Sequence, residues 1–190
     1  GCVFDHPFMG SFNGNNHVIK NMVLRLNLSL GTTPTYRCIG LFGIVGDTEQ
    51  SDNIMIKDII IDKTCSMKYN KYTRDIYCSY LVGRLNKGTI DNCKIYADVR
   101  LNNASNQIYY GSFAGDINSN NCIISNCYAN NNVVINNSYI IYIYGIAFMD
   151  NNSDEKTSKL INNGCIMNVR VTHKSSSTIQ FYSLYVNGLS

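Results

Sequence analysis

The chain has 190 residues and a formal net charge of +3, with 45% hydrophobic but only 15% charged residues. That length suits one domain or one block of repeats with a substantial core. The small charge and scattered basic residues exclude a nucleic-acid footprint, and no run of about 18 apolar residues is available to span a membrane.

The elements expected along the chain come in two recurring kinds. The first is Ile-x-Asn-(apolar), opening with Ile19-Lys20-Asn21-Met22 and a strand whose apolar face is Met22, Leu24, Leu26 and Leu28. The second is a glycine-centred strand, first seen as Cys38-Ile39-Gly40-Leu41-Phe42-Gly43. Ile56-Lys57-Asp58-Ile59 then repeats the first kind, with Ile59 and Ile61 on one face, and Thr64–Ile76 reads as a surface loop. Tyr80-Leu81-Val82-Gly83-Arg84-Leu85 is the next glycine strand. Ile90-Asp91-Asn92-Cys93 leads a strand with Cys93, Ile95, Ala97 and Val99 on one side, followed by a loop at Asn102–Gln107 and the strand around Gly111. Ile124-Ser125-Asn126-Cys127 leads Cys127, Ala129, Asn131 and Val133, followed by the strand around Gly145. Ile161-Asn162-Asn163-Gly164-Cys165 closes the series, with Gly164 read as an extra residue, and Lys174–Thr178 reads as a further loop.

A spacing of about 34–37 residues marks a repeat array, in which equivalent positions lie over one another. Alternation of apolar and polar residues after each Asn gives strands with one buried face, and helical periodicity is poor throughout. The expected fold is all-β: a parallel β-solenoid of about five coils, two main strands per coil and variable corner loops, filling residues 1–190 as one block. The chain reads as a segment of a longer protein. Matching positions then form a structural ladder of Asn21, Asp58, Asn92, Asn126 and Asn163, a core column of Met22, Ile59, Cys93, Cys127 and Cys165, and strand glycines Gly40, Gly83, Gly111 and Gly145. Asn suits a sharp corner because it tolerates left-handed backbone and bonds nearby main chain; stacked amides also form ladders. The Asn, Ile and Tyr excess is equally what an AT-rich genome produces. Among eight cysteines there is no CxxC pair, so a column of buried thiols packing as small hydrophobes is expected rather than a zinc site; inter-coil disulfides there would be strained.

Phe8-Met9-Gly10-Ser11-Phe12-Asn13-Gly14-Asn15-Asn16-His17-Val18-Ile19-Lys20-Asn21, the Ile39-Gly40-Leu41-Phe42-Gly43 strand and the Ile-x-Asn-Cys strands together resemble the GLUG-motif repeat family. The resemblance covers essentially the whole chain, closest in the first copy; later copies lose the first phenylalanine or the second glycine. It implies a right-handed parallel β-helix of the kind found in large cell-surface or secreted proteins, including adhesin-like ones and regions beside bacterial IgA-type metallopeptidases. It supplies no catalytic residues, and the His-Glu-x-x-His of a metallopeptidase is absent from the sequence.

Chemistry is sparse. Polysaccharide cleavage needs paired acids on one wet face; Asp58, Asp62, Asp91 and Asp98 are the candidates, with Asp62 and Asp98 brought together only if the stacking allows. His17 reads as a turn histidine whose ring bonds the backbone. Asp150–Glu155 holds three acids but lacks calcium-loop spacing. Sequons at Asn27, Asn103, Asn136 and Asn151 occur at about the chance rate for such a composition. The tyrosines suit protein or sugar contact, with Tyr110 and Tyr144 expected to line the core. The resulting expectation is a non-catalytic repeat module, an adhesion or stalk surface of a secreted or cell-surface protein, using no cofactor and no metal. Its partners would be protein or glycan surfaces, or further repeats stacked end to end, with no nucleic acid and no membrane insertion. The alternatives are a scaffold subunit in a large intracellular assembly and a polysaccharide-cleaving enzyme.

Overall fold

The computed structural model describes residues 6–26, 36–47, 54–72, 75–104, 107–119, 121–136, 140–149, 158–172 and 178–182. It is all-β, with no helix among the described residues and with one sheet strongly curled into a half-barrel. Every strand pair among the described residues is parallel. The first four repeats each feed four sheets in turn, not the two strands expected, and the fifth feeds three of them among the described residues. The third repeat shows the order: Gly88–Asp91 joins a first sheet, Lys94–Ile95 and Asp98–Ala104 a second, Gln107–Gly111 a third and Ala114–Ile117 a fourth. The corner at Asn92 and a bend at Ser112–Phe113 divide what the sequence suggests are single strands. The expected loop at Thr64–Ile76 is also largely strand: Ser66–Tyr72 lies in the second sheet and Asp75–Cys78 in the third. There Met67 is buried and Lys68 exposed, so polar residues mark the wet face and not a loop. Asn102–Ala104 likewise continues its strand, while most of Lys174–Thr178 lies outside the described residues.

The isoleucines of the motif do stack. Ile56, Ile90 and Ile124 are partners in adjacent strands, each fully buried, and Leu160 continues the column. Burying one such side chain contributes about 1.5–3 kcal/mol. Ile59, Cys93 and Cys127 follow at the next inward level, all buried. None of the seven described cysteines is bridged.

The two outer copies slip against the expected alignment. In the fifth, Ser125 pairs with Ile161 and Ala129 with Cys165. Gly164 is therefore no insertion: Leu160-Ile161-Asn162 replaces Ile-x-Asn, Asn162 is the corner and Asn163 takes the place of Cys127. The backbone records the same assignment, since Asp58, Asn92, Asn126 and Asn162 have φ of 56°, 48°, 54° and 51°. Asn163 substitutes for a thiol. The Cys93 N–H donates to Cys127 Sγ at 3.4 Å, and the Cys127 N–H donates to Asn163 Oδ1 at 2.9 Å. Cys165 leaves the expected column and lies 3.6 Å from Ser112 Oγ.

In the first copy, Phe12 pairs with Ile56 and Val18 with Ile60. The turn Gly14-Asn15-Asn16 is thus the counterpart of Asp58, enlarged, with Asn15 and Asn16 left-handed. Asn21 is also left-handed, φ 58°, but at the next corner, where its N–H donates to Thr64 Oγ1 at 3.0 Å. Met22 precedes Val23, the partner of Ser66, and so sits level with Cys65 rather than Ile59.

The glycines form no single column either. Gly83 lies level with Gly43 and Gly115 in the fourth sheet. Gly40 and Gly111 sit at the bend before it, and Gly111 pairs with Tyr144, which places Gly145 one position further on. The fourth-sheet glycines are forced by close approach. A Cβ on Gly83 would lie 2.3 Å from Ile39 N, and one on Gly115 2.3 Å from Cys78 N. The fourth-sheet strands therefore rest directly on third-sheet backbone of the preceding repeat.

Two predictions follow from this geometry. Asn126→Leu loses about 2 kcal/mol or more of stability, because a branched side chain must adopt left-handed backbone and a corner hydrogen bond disappears. Asn130→Leu, at an exposed strand position, stays within about 0.5 kcal/mol. Equal shifts in chemical denaturation would contradict the corner assignment. Gly83→Ala loses more than about 4 kcal/mol or fails to fold, whereas Gly10→Ala, whose Cβ would meet only the Phe8 ring at 3.5 Å, melts as the parent does.

Candidate functional site

Polysaccharide cleavage calls for paired carboxylates, and each candidate acid is engaged in hydrogen bonds. Asp58 Oδ1 accepts from Asn92 Nδ2 at 2.6 Å. Asp91 Oδ1 accepts from Ser125 Oγ at 2.7 Å and from Asn126 Nδ2 at 2.9 Å. Asp98 Oδ1 accepts from the Asn132 main-chain N–H at 3.2 Å and its Nδ2 at 2.9 Å. Asp62 accepts the Thr64 N–H at 2.9 Å, and that bond, with the Thr64 hydroxyl, holds its carboxyl below the usual value. Asp98 pairs with Ser66, beyond the turn that holds Asp62, so stacking does not make these two acids register partners. His17 is exposed; its main-chain N–H, not its ring, makes the turn bond, to Gly14 O at 2.8 Å. Asp150–Glu155 and the sequons at Asn27 and Asn151 lie outside the described residues, and the side chain of Asn103 is not described.

These bonds form ladders, on a wider set of positions than the corner. Asn92 bonds Asp58 and Asn162 Nδ2 reaches Asn126 Oδ1 at 3.5 Å, but Asn126 turns to Asp91. On the wet face of the second sheet Asn168 donates to Asn132 at 3.2 Å, and Asn136 to Asn102 at 2.8 Å. Asn136, half-buried in a strand with its amide nitrogen donating, is a poor glycan acceptor.

The richest surface constellation is aromatic. Tyr77, Tyr109 and Tyr142 are register partners in the third sheet. Their neighbours Ile76, Cys78, Ile108, Tyr110, Ile141 and Ile143 are buried, so alternation sends the three tyrosines to the outer face. Their rings stack at 4.7 Å for each pair, with interplanar angles of 22° and 11°, which is the strand spacing itself. The Arg84 guanidinium lies 4.8 Å over Tyr77 and caps the stack. Phe148 packs beside it, 5.0 Å from Tyr109 and 4.9 Å from Tyr144. Tyr110 is in the core as expected, but Tyr144 is half-buried on this outer face, because Gly111, its partner, already stands one residue past Tyr110.

Arg84 and Asp116 come from facing positions in the fourth sheet and bond at 2.7 Å between Nε and Oδ2. Their side chains are 10% and 4% exposed. Folding the fourth sheet onto the third, across Gly83 and Gly115, is what buries them outside the main core. Burial, then the Asp116 charge, pushes the Tyr77 phenol up to about 12; burial and the neighbouring Tyr77 also raise Tyr109. At ordinary pH the patch therefore presents neutral rings and hydroxyls over a locked ion pair. Such a surface offers ring edges and hydrogen bonds to a sugar or protein; it holds no nucleophile or free base. Sequence reasoning missed Arg84, Asp116 and Phe148. The signal was present in Val82-Gly83-Arg84-Leu85 against Ala114-Gly115-Asp116-Ile117, which places opposite charges after equivalent glycines.

Comparison with protein-family models, with curated proteins and with solved structures found no match.

Removing one partner of the buried pair is expected to be costly. Asp116→Ala loses about 3–5 kcal/mol, since the Arg84 guanidinium stays buried without its carboxylate, whereas Arg84→Met with Asp116→Leu loses clearly less. Urea melts of both variants check this; equal losses would show that the charge pairing contributes nothing.

Proposed function

We propose that the chain is a right-handed parallel β-helix whose repeats make a non-catalytic binding and spacer module of a secreted or cell-surface protein. The observation that carries this reading is the use of Asp58, Asp62, Asp91 and Asp98 as acceptors in turn and ladder hydrogen bonds, while the outward rings are left to form a contact surface. Parallel pairing between matching positions of successive repeats supports the solenoid, and the resemblance to GLUG-motif proteins supplies its handedness and adhesin-like setting. Protein and glycan surfaces are the partners such a patch suits. Further repeats, or a second chain, suit the strand Gly164–Thr172, which among the described residues pairs only with Tyr128–Asn136 and shows Ile166 at 51% exposure.

One observation favours a second reading, a scaffold within an intracellular assembly: all seven described cysteines are unbridged, the habit of reducing compartments. Incubation with pectate, alginate and glycosaminoglycan chains separates binding from cleavage. The module binds without releasing shorter or unsaturated products; product release would establish the polysaccharide-cleaving alternative. Export of the full-length protein with occupied sequons would exclude the intracellular scaffold.

A further inference from the structure

A second concave site lies away from the tyrosine patch, on the first sheet. It is a groove of about 690 Å³ that crosses successive repeats. Phe12 and Asn13 come from the first, Met55 and Lys57 from the second, and Lys87 and Thr89 from the third. The register explains why they converge: Asn13 pairs with Lys57, and Met55 with Thr89. Two left-handed corners line the groove, Gly88 at φ 121° and Asn121 at φ 66°, and a third, Gly46 at φ 79°, packs against Lys87. Asn86 Nδ2 donates to Gly46 O at 3.2 Å, next to Lys87.

The lining has a definite chemistry. Lys57 and Lys87 line the groove, with no carboxylate among the described lining residues; Lys57 Nζ, on a side chain 38% exposed, stands 3.8 Å from Asp58 Oδ2. Amide and hydroxyl groups sit between the cations. Phe12 and Met55 are 41% and 37% exposed, and Phe12 meets Phe42 edge-on at 5.5 Å, so part of its ring remains open to the groove. The volume far exceeds what a lone sulfate or phosphate fills and lies in the range of sites for ligands of one to three rings. Cations for an acid group, short polar side chains for hydroxyls and an open aromatic ring for a C–H face are together the requirements of a sugar acid.

We infer that this groove binds an acidic saccharide, its carboxylate or sulfate held by Lys57 and Lys87 and its apolar face set against Phe12. The site is independent of the tyrosine patch. Uronate and sulfate esters share the chemistry recognised, and the test separates them.

Titration calorimetry of the full chain at low salt uses a glucuronate-containing disaccharide, a sulfated disaccharide, neutral cellobiose and inorganic sulfate. At least one acidic disaccharide binds, about tenfold or more tighter than cellobiose, and weakens as salt is raised. Lys57→Ala and Lys87→Ala each weaken that binding about tenfold, the loss of one charge-assisted contact. Lys57→Arg restores it, and Lys159→Ala, an exposed lysine at the far side of the same sheet, binds as the parent. Far-UV circular dichroism of each variant excludes unfolding as the cause. Equal binding of neutral and acidic sugars, sulfate competing as well as the disaccharides, no binding at all, or lysine variants that bind normally would each overturn the assignment. Sugar cleavage in the same mixtures would instead overturn the non-catalytic reading and leave the groove standing, so the two failures are distinguishable.

Discussion

Parallel backbone hydrogen bonding between strands one repeat apart is the constraint on which the rest of the molecule depends. Once Ile90 is set between Ile56 and Ile124, the residues that follow in the paired strands meet their counterparts at the strand spacing of about 4.8 Å. Side chains that gain from self-pairing at that distance then gain at each level. Aromatic rings stack, as Tyr77, Tyr109 and Tyr142 do. Amides pass hydrogen bonds along, as Asn132 and Asn168 do. Charge follows no single rule at this spacing: Arg84 stands against Asp116, while Arg25, Lys68 and Arg100 are stacked in register in the second sheet.

A second constraint arises where the fourth sheet folds back. Side chains cannot enter the contact between Gly83 and the Cys38–Ile39 backbone, or between Gly115 and the Tyr77–Cys78 backbone. Backbone packing there brings the outward residues of two sheets against each other and makes a small outer core of tyrosine, phenylalanine and one ion pair. Structure and surface chemistry are coupled at this point. The glycines that close the fold are also what assemble the tyrosine patch, so a substitution that opens the bend would disperse the patch as well.

Strand content, parallel stacking and the inward face of the central repeats were legible in the sequence, because Ile-x-Asn keeps its spacing and alternation is clean in Cys93–Val99. The terminal repeats were not. Two adjacent asparagines, Asn162 and Asn163, both fit the motif, and only the backbone shows that Asn162 holds the left-handed corner. At the other end, Ile19-Lys20-Asn21 copies the motif while occupying a different corner, which the enlarged Gly14–Asn16 turn makes possible. The glycine column was misread because each glycine strand carries two special levels, the bend and the close approach: the first and third repeats have glycine at both, whereas the second has it at Gly83 alone. The tyrosine patch was half legible: its rings are conspicuous, but their capping by Arg84 depends on a fold-back between sheets that no local pattern encodes. The lysine groove, drawn from short segments far apart in sequence, has no linear signature at all.

The central claim is the registration of repeats, and it is tested most directly by cross-strand proton contacts in nuclear Overhauser spectra of the isotope-labelled chain. The account predicts parallel-strand contacts that link Ile90 with both Ile56 and Ile124, and Ala129 with Cys165. Antiparallel Hα–Hα contacts between these strands, or contacts joining Cys127 directly to Cys165, would contradict it.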